Sequence, residues 1–212
     1  MVTSKVPTVF VVDDDASVRG AVARLLHSAG YQTETFASAE GFLAQSRFDA
    51  PGCILLDVRM PGLNGLELQQ ALTAADRQLP IVFITGHGDV PMSVRAMKAG
   101  AEDFLPKPFD DEELLNAVAQ ALNKSQREQN ERTEVAEIRK RLSSLTPRER
   151  EVLCHVVAGQ LNKQIAADLS IAEKTIKVHR ARVMEKMGAS SLAGLVAMTG
   201  RIGLRSYILG TC

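Results

Sequence analysis

In the first half of the chain, short apolar runs alternate with stretches whose apolar residues recur every three or four positions. The run Thr8–Val12 predicts a buried strand. Over 17–29, apolar residues at 18, 21, 22, 25 and 26 predict a helix, which Gly30 stops. The same reading gives strands at Gln32–Phe36, at 53–56 running into Asp57, at 81–84 and at 103–105. It gives helices from a Ser38 cap to about Gln45, over 63–75, over 91–99 and over 110–122. Asp89 or a neighbour is the expected cap of the helix over 91–99, and Gly100 its end. Acids fill the first turn of the helix over 110–122, as the helix dipole prefers. Strands alternating with helices predict a five-stranded parallel sheet, doubly wound, with helices on both faces.

The pattern changes after residue 122. Residues 123–141 are strongly charged and free of Gly and Pro, which favours a solvated helix over a floppy tether. Val135, Ile138, Leu142 and Leu145 follow a 3-4-3 spacing and suggest a short seam, in a different register from Leu115, Val118 and Leu122. Beyond it Thr146-Pro147-x-Glu149 is a helix start with a capping box, and Gly159 ends that helix. A short helix over 162–169, a turn, a helix over Glu173–Met187 and a last one from Ser190 or Ser191 complete an all-α half. Two helices joined by a short turn, the second of them basic, form a helix-turn-helix pattern. The expected domains are 1–122, a helical linker over 123–141, and 142–207; residues 203–212 match no pattern.

The formal charge is zero overall but divided. Residues 1–123 hold 9 Lys/Arg and 16 Asp/Glu, a net −7, and residues 124–212 carry the compensating +7. The two halves therefore point to different partners, and the basic half to nucleic acid. Cys53, Cys154 and Cys212 are scattered and odd in number, which fits neither a disulfide framework nor a metal knuckle. No apolar run is long enough to span a bilayer, and the chain is read as soluble and cytoplasmic.

In sheets of this kind ligands sit at the carboxyl ends of the strands. Those ends carry Asp13 and Asp14, Asp57, Thr85 and Lys107. Clustered carboxylates suit a hard cation held by oxygen, and Mg²⁺ takes one or two carboxylates plus waters. A carboxylate is also a nucleophile that can become an aspartyl phosphate. Mg²⁺ on one side and Lys107 on the other would supply the charge that phosphoryl transfer needs, with Thr85 bonding a phosphoryl oxygen.

The stretches VVDDD (11–15), LLDVRMPGLNG (55–65), ITGHGDVPMSVRAMKAG (84–100) and FLPKPF (104–109) make the first half resemble the receiver domain of bacterial two-component response regulators, in particular the FixJ type. The resemblance implies a flavodoxin-like fold with Asp57 as phosphoacceptor, charged by a sensor histidine kinase. It implies a Mg²⁺ site made of Asp13, Asp14, Asp57 and the backbone carbonyl of Arg59. Lys107 would contact the phosphoryl group beside a cis bond to Pro108, and Thr85 with Phe104 would form a switch pair. Asp15 is an acid position in the family without being an obligatory ligand.

Asp13-x-Asp15 after a strand is also similar to the motif of haloacid-dehalogenase-type phosphatases, with Asp13 as nucleophile and Asp15 as general acid. In that reading no downstream acidic pair follows a strand at the expected place, and LLDVRMPG is left unexplained. Cys53 is read as a small buried residue, His87 as a loop hydrogen-bonder, and Met92 and Met97 as packing or interface residues.

In the second half LTPREREVL (145–153) and NKQIAADLSIAEKTIKVHRARVMEKMGA (162–189) resemble the LuxR-type DNA-binding domain. The resemblance implies a recognition helix at Glu173–Met187 with Ile176, Val183 and Met187 packed inward. Lys177 and Val178 would reach base edges. Lys163, Lys174, Thr175, Arg180, Arg182 and Lys186 complete the implied DNA-facing set, with Lys163, Lys174 and Arg182 on phosphates. Ala181 stands where relatives often carry a base-contacting Lys, and His179 either contacts a phosphate or sits at the helix edge.

Together the two resemblances imply a non-enzymatic transcription regulator that binds promoter DNA, dimerises on phosphorylation through its fourth helix and fifth strand, and works with RNA polymerase. A phosphatase and a protein-only signalling adaptor are the other classes considered.

Overall fold

The computed structural model describes residues 6–44, 50–75, 77, 79–86 and 90–204. The chain divides into two compact units, Met1–Gln129 and Asn130–Cys212. The first unit holds β1 (Thr8–Val12), α1 (Ala16–Ser28), β2 (Gln32–Phe36), α2 (Ala39–Leu43), β3 (Gly52–Asp57), α3 (Gly65–Ala74), β4 (Ile81–Thr85), α4 (Val90–Lys98) and β5 (Asp103–Pro106). Helix α5 (Asp111–Ser143) starts in this unit and ends in the next, which continues with α6 (Pro147–Val157), α7 (Asn162–Asp168), α8 (Glu173–Met187) and α9 (Leu192–Arg201). Among the described residues no helix is long and apolar enough to cross a membrane.

All pairings in the sheet are parallel, in the order β2-β1-β3-β4-β5. Alternate residues of one strand serve opposite faces. Val9 and Val11 of β1, Cys53 and Leu55 of β3, and Val82 and Ile84 of β4 pack with Val22 and Leu26 of α1 and Leu114 and Val118 of α5. Phe10 and Val12, Ile54 and Leu56, and Phe83 pack instead with Phe42 of α2, Leu68 and Leu72 of α3, and Ala96 of α4. The central strands are buried on both faces, so they read as unbroken apolar runs. The chain lays β2 on one side of β1 and returns to lay β3 on the other, so a crevice opens beyond the carboxyl ends of β1 and β3.

Local chemistry places the helix ends. The Asp15 side chain accepts from the Ser17 and Val18 amides and starts α1. Asn64, with Glu67 reaching back, forms a capping box, so α3 begins at Gly65 rather than at the predicted 63. The helix over 110–122 and the solvated helix expected to run on from it form one element, α5. It continues through the charged stretch to Ser143, because that stretch lacks a Gly or Pro to break it. Val135, Ile138, Leu142 and Leu145 were spaced as a seam. Here Ile138 and Leu145 are buried, and Leu142 packs against them, in the second unit's own core with Val152, Leu153, Ile165, Ile176, Val183 and Leu195. The predicted Asp89 cap, His87, Gln45 and residues 205–212 lie outside the described residues.

Candidate functional site

At the carboxyl edge of the sheet, Asp13 follows β1 and is fully buried, while Asp57 ends β3 with 5% of its surface exposed. Lys107, just after β5, donates from Nζ to Oδ2 of Asp13 and to Oδ1 of Asp57, each at 2.7 Å. The remaining carboxylate oxygens are also held. Oδ1 of Asp13 accepts from the Asp15 amide at 2.8 Å, and Oδ2 of Asp57 accepts from the Arg59 amide at 2.7 Å. The peptide between Lys107 and Pro108 is cis, and the Lys107 amide donates to the Thr85 carbonyl at 2.7 Å. That bond ties the lysine's backbone to the end of β4.

One ammonium serves two acids, and the charge is not balanced. Burial pushes the Asp57 carboxyl above its ordinary value, and the Asp13 charge adds to the rise, although the Lys107 bond and the Arg59 amide pull it down. Burial acts to lower Lys107, but its bonds to Asp13 and Asp57 outweigh this and hold it above its ordinary value. A lone acid–lysine pair would depress the acid. Here burial, with the smaller contribution of the Asp13 charge, outweighs the lysine and reverses the sign for Asp57.

These residues fit a hard divalent cation, because two buried carboxylates converge with uncompensated negative charge and only oxygen donors. Asp14 next to them is exposed. Among the described residues no three His, Cys, Asp or Glu side chains gather as a metal cage. Asp14 therefore does not close up with Asp13 and Asp57 in this structure. A two-carboxylate floor still matches Mg²⁺, which keeps several waters. Asp15 is spent on the α1 cap, which leaves the phosphatase reading without its general acid.

Thr85 ends β4 and is buried. In the sheet register Asp57 stands beside Ile84, so Thr85 follows directly on the strand neighbouring the acid. Phe104 stands opposite Phe83 on β5 with ring centroids 6.3 Å apart, and is half-buried. Met92 is half-buried and packs against the core, whereas Met97 is exposed on α4 with Val94. Burial pushes the Cys53 thiol up to about 12, so it is an inert core residue.

In the second unit α7 and α8 form the helix-turn-helix. Ile176, Val183 and Met187 of α8 are fully buried, as their spacing predicts. Lys163 on α7, and Lys174, Thr175, Lys177, Val178 and Arg182 on α8, are exposed. Arg180 is half-buried and donates to Oδ1 of Asn162 at 3.2 Å, bracing α8 against α7.

Lys186 corrects the expectation of an outward charge. Its Nζ donates to Oε2 of the buried Glu149 at 2.7 Å and to the Ser144 carbonyl at 3.3 Å, so its ammonium is paired with groups of its own domain. The reason lies in α6. Glu149 is the reciprocal partner of the Thr146 cap, and α8 crosses beside that capping box. Sequence reasoning also passed over Arg141, whose Nη1 donates to the Met187 carbonyl at 3.1 Å. Within a run of charged residues nothing marks one arginine as turned inward.

Residues 9–119 match the response regulator receiver domain family, and residues 143–199 match the bacterial regulatory proteins of the luxR family. Nodulation protein W of Bradyrhizobium diazoefficiens is 46% identical over 196 residues, covering 92% of this chain and 86% of that protein. The solved structure of response regulator StyR is 51% identical with a TM-score of 0.85, covering 93% of this chain and 100% of that one. That of full-length FixJ from B. japonicum is 43% identical with a TM-score of 0.57, covering 93% of this chain and 97% of that one.

Proposed function

The chain belongs to the two-component response regulators, with a receiver domain followed by a LuxR-type DNA-binding domain, and from that premise we propose that Asp57 is its phosphoacceptor and that phosphorylation controls promoter binding. The observation that carries the reading is the Lys107 ammonium bridging two buried carboxylates at the strand edge. An oxygen of the Asp57 carboxylate attacks the phosphorus of a histidine kinase's phosphoimidazole. The new P–O bond forms as the P–N bond breaks, and the imidazole departs. Asp13, Asp57 and the Arg59 carbonyl would hold Mg²⁺, with Asp14 turning in from solvent to join them, and the ion would supply charge neutralisation for the incoming phosphoryl group.

Lys107 then exchanges its carboxylate contact on Asp57 for a phosphoryl oxygen, while still fixed by Asp13. Thr85 donates its hydroxyl to a second phosphoryl oxygen, and Phe104 follows into the space vacated beside it. That is a local charge event biasing a two-state element. The α4–β5 surface, where Val94 and Met97 are exposed, dimerises in consequence. A dimer spans two half-sites and gains affinity without a new contact. Lys177 and Val178 read base edges, Thr175 lies beside them, and Lys163, Lys174, Arg180 and Arg182 bind phosphates that fix the register. Lys186 is left out of this set because Glu149 holds it. RNA polymerase is the downstream partner.

The test is acetyl phosphate with and without Mg²⁺ on wild type and Asp57→Asn, read by phosphate-affinity gel and light scattering. The expected result is a shifted band and a dimer in wild type only, and only with Mg²⁺. A label that survives in Asp57→Asn would move the nucleophile to Asp13 and overturn the reading.

A further inference from the structure

The recognition helix α8 ends at Gly188, which adopts a left-handed conformation with φ 66. The last carbonyls of a helix lack partners within it, and the negative end of the helix dipole collects there. In α8 the Gly188 amide serves the Glu185 and Met184 carbonyls, and the Ala189 amide also serves Met184. The Met187 carbonyl takes its bond from outside the helix, from Nη1 of Arg141 at 3.1 Å. A side chain on Gly188 would start 2.5 Å from that same nitrogen, so the bare glycine is the floor on which the guanidinium rests. Nε of Arg141 pairs with Glu137 at 3.2 Å, one turn back on α5, which aims the fork.

The end of α5 that carries Arg141 is fixed within the second unit by independent contacts. Ile138 is buried in the core. Glu134 forms an ion pair with Arg201 of α9. Lys186, the residue before Met187, donates to the Ser144 carbonyl. A guanidinium on a fixed stem that holds the last carbonyl of a helix defines where that helix ends in space.

We infer that Arg141 is a positioning residue for DNA reading: from the end of α5 it caps the C-terminus of the recognition helix and sets the placement of α8. Arg141 lies before residue 143, where the match to the luxR family begins. The DNA-reading module therefore includes the last turns of the preceding helix. The inference rests on the DNA-binding reading given above, but its structural half is independent of that reading.

The experiment uses the full chain. Duplexes enriched by wild type from a random-sequence pool are compared with scrambled duplexes of the same composition, on wild type, Arg141→Met, Arg141→Lys and the exposed control Arg139→Met, each shown to be folded by circular dichroism. Mispositioning α8 removes base readout and leaves the charge-driven term. Arg141→Met should therefore lose about tenfold on the enriched duplex and less than about twofold on the scrambled one. Arg141→Lys, which keeps the charge and one donor, should recover part of the loss. Equal losses on both duplexes, or none on either, overturn the inference. Hydrogen exchange at residues 184–189 should quicken in Arg141→Met but not in Arg139→Met, and unchanged exchange also overturns it. If wild type enriches no sequence, the DNA-binding reading fails instead, and the exchange result still decides whether Arg141 caps α8.

Discussion

Lys107 donates to Oδ1 of Asp57 across 2.7 Å, yet the Asp57 carboxyl sits above its ordinary value rather than below it. Burial outweighs the lysine, and Asp13 takes a share of the same ammonium at 2.7 Å. Asp57 is therefore a carboxylate that the fold strains electrostatically and that added positive charge relieves.

Replacing the acid by its neutral isostere should remove that strain. An acid with a raised folded-state pKa costs stability as pH rises from its ordinary value of 3.8 through the folded value, and the full penalty is present above the folded value. Asp57→Asn should therefore melt higher than wild type at pH 7.5 in chelator, and the gap should narrow as pH falls to 3.8. Thermal unfolding at the two pH values checks this. A lower melting point at pH 7.5 would mean that the lysine contact dominates.

Gly65 opens α3 directly under the end of β3. A Cβ there would lie 2.4 Å from the Asp57 carbonyl and 3.1 Å from Cα of Val58, both backbone atoms. The Gly65 amide also bonds the Val58 carbonyl at 3.0 Å, so the approach cannot relax freely. Gly65→Ala should destabilise the receiver by roughly 1–3 kcal/mol, as overpacking does, and slow labelling by acetyl phosphate. Urea unfolding and a labelling time course measure the two effects.

Ser125 lies in the polar stretch that follows the apolar part of α5, yet it is buried and its Oγ accepts from the Gly52 amide at 3.0 Å. Ser125→Ala strands that amide away from water and should cost about 1–3 kcal/mol. Asn123→Ala, two residues earlier and exposed, should stay within about 0.5 kcal/mol of wild type. Chemical denaturation of the three proteins decides it.

Glu149 is held at about 2 by the Lys186 bond and the Thr146 amide, against an ordinary value of 4.5. A depressed folded-state pKa contributes stability that is present above the ordinary value and is lost as pH falls towards the folded one. The DNA-binding domain should therefore weaken between pH 4.5 and about 2, and Glu149→Gln should weaken it at neutral pH and flatten that acid limb. Far-ultraviolet circular dichroism against pH reads both. An acid limb unchanged in Glu149→Gln would exclude the pair as its source.

The sequence by itself determined the strands, the two faces of the sheet and the inward stripe of α8. Each of these depends on a repeat of two or of about 3.6 residues, and the pattern of apolar positions carries that repeat. It also determined which side chains reach the strand edge, since Asp13, Asp57, Thr85 and Lys107 each follow an apolar run by one or two positions. Tertiary structure decided the pairings. Lys107 and Asp57 are 50 residues apart, and Lys186 and Glu149 are 37 apart. A local pattern assigns a side chain to a face but does not say which distant charge will occupy the space in front of it. So Asp14 stays in solvent while Asp13 is buried, Asp15 caps a helix, Lys186 and Arg141 find partners within their own unit, and Ile138, Leu142 and Leu145 serve that unit's core. Burial makes those choices, because a charge or amide removed from water is tolerated only where another group meets it.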